Sequence, residues 1–281
     1  MTVSIQDSVE DFYGYRLRAM RSGAGPVVLF LHGFGVTADM WRPNLQAVAE
    51  AGYSVLALDL PGHGGSFRPK KLMGVTDLAR VILTALDAEG ADEICMVGNS
   101  LGGAVASEMA LLQPHRFKRL VLENALGFGA HIPVFQKRNY WTHLLLPGAL
   151  AVFTGRDRWA FKRLYQMIYY APETVPPGVM VLRHASNWWD NHWGRALVMF
   201  GVLRQMLTHG QRQKFARRRA KLQTPTLIIW GENDQMLPVE HARQAQALIP
   251  SAQLHIFAHC GHAPNIEYAE DFNRKVLEFL K

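Results

Sequence analysis

Ile94-Cys95-Met96-Val97-Gly98-Asn99-Ser100-Leu101-Gly102-Gly103-Ala104 is the stretch from which the fold can be read. Its apolar start has the length of a buried strand, and Ala104 to Gln113 continues with helical character. Ser100 stands at the corner between them. So tight a corner leaves no room for side chains two positions either side, and Gly98 and Gly102 have none. Strain there pushes the serine hydroxyl out of the sheet edge and sets the following backbone N–H groups beside it. The strand before and the helix after turn a short pattern into a nucleophile.

A serine hydroxyl is a poor nucleophile at neutral pH and needs a base, which in turn needs an orienting group. Pro225 to Trp230 reads as a buried strand running into Gly231-Glu232-Asn233-Asp234, which holds an acid just past a strand end. Gln253 to Phe257 reads as another strand, followed by Ala258-His259-Cys260-Gly261-His262-Ala263-Pro264. His262 sits in a turn that can bring an imidazole over the sheet edge. His259 competes for the role, but the Gly-His pairing favours His262. The order along the chain is Ser100, Asp234, His262.

Four motifs in sequence give the chain a family likeness. They are His32-Gly33-Phe34-Gly35 after an apolar run, Asp59-Leu60-Pro61-Gly62-His63-Gly64-Gly65-Ser66, the Ser100 corner, and Gly231-Glu232-Asn233-Asp234 with Gly261-His262. In these the chain resembles the α/β-hydrolase superfamily along nearly its whole length, including the order of its triad. The resemblance implies a Ser100–His262–Asp234 triad and an oxyanion hole built from the backbone N–H groups of Phe34 and Leu101. Removing one such donor typically costs about 100- to 1000-fold in turnover. It implies a structural role for His63, a bracing role for His32, and no cofactor. Glu123-Asn124 ends a strand where some members of the superfamily put the acid, and Asp234 matches better.

Alternation of strands and helices predicts a mostly parallel sheet covered on both faces. Strands are expected at 15–20, 27–31, 54–59, 94–98, 119–123, 226–230 and 253–257. Helices are expected at 41–51, 75–89, 101–113, 240–248 and 269–280. The alternation breaks between residues 128 and 223, where the family inserts a helical cap. The expected organisation is therefore a hydrolase core of residues 1–127 and 224–281 with a cap of 128–223. At 281 residues with 49% hydrophobic content, the chain suits one α/β domain carrying an insertion. The N-terminus shows no basic start with an apolar run behind it, and no run approaches a membrane span. Two cysteines make no disulfide framework, so a cytoplasmic location is expected.

Lys and Arg number 15 between residues 128 and 223 against three acids, so a basic cap sits on a mildly acidic body. A solvated surface is the default reading. The run Lys214 to Lys221, containing Arg217, Arg218 and Arg219, also suits contact with an anionic membrane. An arginine could instead neutralise a substrate carboxylate. Nucleic acid is not an expected partner, for no reading motif accompanies the charge. Five of the seven tryptophans lie in the cap, and Trp188, Trp189 and Trp193 are candidate walls of an apolar pocket. His184, His192 and His209 lack metal-ligand spacing, so no metal site is expected.

Hydrolysis of a small apolar or aromatic carboxylic ester through an acyl-enzyme demands least of such a pocket. Relatives that split carbon–carbon bonds of aromatic ring-cleavage products are the alternative, since their corner resembles Gly98-Asn99-Ser100. Those enzymes usually carry tryptophan directly after the base, where this chain has Ala263. A ligand receptor that retains its triad, or a cofactor-free oxygenase, is the remaining class on this scaffold.

Overall fold

A computed structural model describes residues 4–129, 166–175, 192–206, 208–249 and 251–281. Eight strands form one sheet: β1 (Gln6–Phe12), β2 (Tyr15–Ser22), β3 (Val27–Leu31), β4 (Ser54–Leu58), β5 (Ile94–Asn99), β6 (Phe117–Glu123), β7 (Thr226–Gly231) and β8 (Gln253–Phe257). Their spatial order is β1-β2-β4-β3-β5-β6-β7-β8. β2 pairs antiparallel with β1 and β4, and every pairing from β4 to β8 is parallel. The expected α/β-hydrolase architecture is therefore present.

Successive side chains of the central strands point to opposite faces, and both faces are apolar. Leu29, Leu31, Met96, Leu122 and Ile228 pack against α2 (Val75–Ala88) and α3 (Leu101–Leu112). Val28, Phe30, Val97, Val121 and Ile229 pack on the other face, against α1 (Arg42–Glu50) and the C-terminal helix Ala269–Leu280. Fully burying one such aliphatic side chain is worth roughly 1.5–3 kcal/mol. α3 is buried throughout its first ten residues, which places the corner before it at the centre of the molecule.

β1 was not foreseen. Asp7, Glu10 and Asp11 hide it from a hydrophobic-pattern reading, since it is an edge strand whose side chains are mostly exposed. Cross-strand ion pairs hold it instead, Arg18 to Asp7 and Arg21 to Glu10, each at 2.7 Å. Arg18 also meets Asp39 at 2.7 Å and Asp59 at 3.4 Å. Burial works against its charge, but the carboxylates outweigh that and hold its pKa above the ordinary arginine value.

Within the segment expected as a cap, two helices are described, α4 (His192–Arg204) and α5 (His209–Arg218). The region is followed by α6 (Glu240–Leu248), α7 (Pro264–Glu267) and α8 (Ala269–Leu280). Among the described residues no helix is long and apolar enough to cross a membrane, and no cluster of His, Cys, Asp and Glu could hold a metal.

Candidate active site

Ser100 joins β5 to α3 with φ 50° and ψ −111°, a conformation that costs an L-residue energy unless its surroundings enforce it. Its N–H donates to the Glu123 carbonyl and its carbonyl accepts from the Leu126 N–H, both at 2.9 Å. A β-carbon on Gly98 would lie 2.6 Å from the Gly102 carbonyl oxygen, and one on Gly102 would run into the Leu31 carbonyl. The glycines required by the sequence reading are thus required by the packing. Leu101 opens α3, so its N–H has no acceptor within the helix and is available at the mouth of the corner.

The loop after β3 lies against this corner. A β-carbon on Gly33 would stand 3.2 Å from the Ser100 Cβ. His32 braces the loop from beneath: its Nδ1 donates to the Gly33 carbonyl at 2.7 Å, and its Nε2 accepts the Leu60 N–H at 2.8 Å. Burial lowers its pKa, which suits a neutral ring used as a strut. Phe34 is 40% exposed and meets the His63 ring edge-on at 5.4 Å. His63 is fully buried, with Nδ1 on the Pro61 carbonyl at 3.1 Å. Burial keeps its pKa well below the usual value.

Asp234 follows β7 and is nearly enclosed. Its Oδ1 accepts the N–H groups of Met236 and Leu237 at 2.7 and 2.9 Å. Its Oδ2 accepts His262 Nδ1 and Asn124 Nδ2, each at 2.6 Å. His262, beyond β8, is held by its own backbone: its N–H donates to the Ile168 carbonyl at 2.6 Å, and its carbonyl accepts Asn99 Nδ2 at 3.2 Å. Asn99 neighbours Ser100, so the His262 loop is tied to the strand that ends at Ser100. A carboxylate orienting an imidazole is an arrangement that suits proton transfer, and the Asn99 hydrogen bond links it to the Ser100 corner.

Glu123, the last residue of β6, is wholly buried behind this site. Its Oε1 accepts the Asn265 N–H at 2.7 Å, while its Oε2 has no partner among the described residues. Burial pushes its carboxyl up to about 8, only partly offset by that hydrogen bond. Below about pH 4.5 both folded and unfolded chains hold this proton, and between there and about 8 only the folded chain does. Stability therefore falls as pH rises through that window, by up to about 1.4 kcal/mol per pH unit. A Glu123→Gln protein is expected to lose this slope, so in urea titrations its midpoint gains on the wild type from pH 5 to pH 8.5.

Trp188 and Trp189 lie outside the described residues, and Trp193 is 55% exposed near the start of α4. Arg195, two residues on, is 6% exposed, and burial brings its pKa down to about 10. α4 seats closely on the loop of His63: a β-carbon on Gly62 would lie 2.7 Å from the Gly194 carbonyl. The basic run is only partly a surface. Arg219 is wholly buried between the rings of Phe215 and Phe128, donating to the Phe215 and Ala104 carbonyls. Arg212 is also buried, and Arg218 reaches the buried Glu108 at 2.9 Å, leaving Lys214, Arg217 and Lys221 to solvent without an inward pair of this kind. Cys95 and Cys260 are both buried and free. The sequence reading noted Asn124 only as a neighbour of Glu123, and it did not single out Arg195 or Asn265.

The profile of the alpha/beta hydrolase fold family matches residues 26–269. A 2-hydroxy-6-oxononadienedioate/2-hydroxy-6-oxononatrienedioate hydrolase of Burkholderia vietnamiensis is 31% identical, covering 97% of this chain and 93% of its own. The dihydrolipoyllysine-residue acetyltransferase component of an acetoin cleaving system from Cupriavidus necator is 32% identical, covering 96% and 68%. Among solved structures, the 2-hydroxy-6-oxo-6-phenylhexa-2,4-dienoate hydrolase of Rhodococcus sp. strain RHA1 superposes with a TM-score of 0.82, at 22% identity over 99% of both chains. At that identity the superposition speaks for the fold.

Proposed function

The chain belongs to the alpha/beta hydrolase family, and from that membership we propose that it hydrolyses the carbon–carbon bond beside the ketone of a small 2-hydroxy-6-oxo-dienoate. Ser100 is the nucleophile, His262 the base, Asp234 its orienting acid, and the N–H groups of Phe34 and Leu101 the oxyanion donors. The described helix α4, seated on the His63 loop, is read as part of a cap over this site.

Arg195 is the observation that carries the reading. The substrates for which the full-length relatives are named are carboxylates, and a carboxylate entering a closed site needs a cation. Arg195 is a buried cation against the His63 loop, and the His63 ring touches Phe34. The chemistry follows from the parts. Ser100 Oγ adds to the ketone carbon as His262 takes its proton, and the alkoxide is held by the two amides. As the alkoxide collapses, the carbon–carbon bond breaks. The electron pair has a sink because the substrate has first tautomerised. Its enol proton has moved to the carbon beside the ketone, leaving a 2-keto group conjugated with the remaining double bond. The dienolate formed on cleavage takes back the proton that His262 holds. Water then releases the acyl group from Ser100 by the same proton transfers.

Ester hydrolysis is the second reading, favoured by one residue. Ala263 is buried directly after His262, where carbon–carbon hydrolases of this type usually carry tryptophan. An alkoxide leaving group needs no extended electron sink and so no such wall. The deciding assay sets 2-hydroxy-6-oxo-6-phenylhexa-2,4-dienoate, followed by loss of its colour, against p-nitrophenyl esters of two to sixteen carbons. The dienoate is expected to turn over faster than any ester, with Ser100→Ala as the blank. Ester turnover alone, with a chain-length optimum, would replace the first reading with the second. Folded protein that reacts with a serine-directed phosphonate but turns over neither substrate would be a receptor.

A further inference from the structure

We propose that Asn124 is a positioning residue for the acid–base pair: its amide donates to the same Asp234 oxygen that accepts the imidazole N–H, and thereby sets how that carboxylate faces His262. The proposal rests on the reading of Asp234 and His262 as the catalytic pair.

Geometry supports it in three ways. Asn124 Nδ2 lies 2.6 Å from Asp234 Oδ2 and 3.4 Å from the carbonyl of Gly261, the residue before His262. Both neighbours are acceptors, so the amide can be oriented only with its nitrogen toward them. One side chain therefore bridges the acid and the loop that carries the base. Second, Asn124 adopts φ 42°, a left-handed conformation that asparagine tolerates better than most residues. Its N–H is fixed by the Ile229 carbonyl at 2.9 Å, so β7, the strand leading to Asp234, helps to hold that conformation. Third, its own Oδ1 is buried without a partner among the described residues. A buried acceptor left unpaired costs stability, so the amide does not serve to satisfy itself.

The electrostatic consequence has a sign. Oδ2 shares its charge between a neutral donor, Asn124, and the imidazole. With the neutral donor removed, more of that charge is left to the imidazolium, which then keeps its proton to higher pH. Three other titratable groups face this pair: Glu123 at the end of β6, Cys260 in the base loop and Glu267 in α7. They are unchanged in every variant below.

Asn124→Gly is the variant to make, because glycine accepts the left-handed backbone whereas alanine would add strain of its own. Its kcat is expected to fall about tenfold to a hundredfold, the worth of one hydrogen bond to a charged group, with KM near the wild-type value. The acid limb of its kcat/KM profile moves to higher pH. A proton spectrum taken without substrate reads the same clamp: the far-downfield His262 Nδ1–H signal, assigned by its loss in His262→Gln, is displaced in Asn124→Gly. Folded Asn124→Gly that keeps both the acid limb and the resonance where the wild type has them overturns the proposal, whatever its kcat.

Asn124→Asp keeps the shape and covers the case in which the glycine variant does not fold. Its carboxyl can donate to Asp234 only while protonated, so activity descends on the alkaline side through a limb that the wild-type amide, which does not titrate, cannot supply. A profile parallel to the wild type also overturns the proposal. The resonance, and the pH dependence of phosphonate labelling at Ser100, are read without a substrate. They test the clamp even if the carbon–carbon reading fails.

Discussion

Ser100→Ala is expected to remove turnover by about a millionfold, the loss seen when the serine of such a unit is deleted from a working triad. Ser100 holds a strained backbone at the corner, and in the proposed mechanism the N–H groups of Phe34 and Leu101 serve an oxygen that becomes negative only after attack. With the hydroxyl gone, those donors have no covalent intermediate to stabilise, and what remains is the modest catalysis of binding and polarisation. Alanine fits wherever serine does, so the urea midpoint should move little. Steady-state turnover measured beside a phosphonate titration checks the prediction. Labelling of any residue other than Ser100 in active wild-type protein would remove it from the nucleophile's role.

Asp234→Asn is expected to cost about ten-thousandfold in kcat, for a reason visible in the four donors that surround the carboxylate. Two backbone N–H groups fix Oδ1, and His262 Nδ1 with Asn124 Nδ2 fix Oδ2. An asparagine has one oxygen, and the pair of backbone donors claims it. Its NH2 then faces His262, so the ring must turn its Nδ1 lone pair toward it and carry the proton on Nε2. A base that already holds a proton on its working nitrogen cannot accept one from the serine. Turnover and the rate of phosphonate labelling should fall together while KM stays near its wild-type value. Urea melts separate this from unfolding, since the unfavourable meeting of donors also lowers stability.

Much of this site could be read from the chain alone, and the exceptions share a physical cause. β3 and β8, with α6 and α8, stand at the boundaries expected of them, and the remaining central strands within two residues. Strands buried on both faces write unbroken apolar runs, and amphipathic helices write their periodicity. The corner at Ser100 and the turns that carry Asp234 and His262 were legible because a strained corner and two strand ends demand glycines and polar residues at fixed offsets. β1 was illegible because an edge strand held by ion pairs leaves no hydrophobic pattern. Asn124 was visible only as the neighbour of a buried acid, for nothing local reveals that its amide meets a carboxylate 110 residues away. Arg219 misled in the opposite direction. Within a run of cations it reads as surface, yet two aromatic rings and two carbonyls give it an interior.

The base loop depends on the last helix for its final shape. Asn265, three residues past His262, donates its amide to the Met40 carbonyl just before α1 and to Asn44 within α1. Asn44 in turn donates to the Asn265 carbonyl and to Asn273 of α8. Those partners are separated by 221 and 229 residues of chain. During synthesis the Ser100 corner leaves the ribosome long before the segment that carries the base. Asn273 of α8, which braces the His262 loop through Asn44, emerges later still. Until α8 has emerged, a growing chain carries the Ser100 corner without the bracing that reaches the His262 loop.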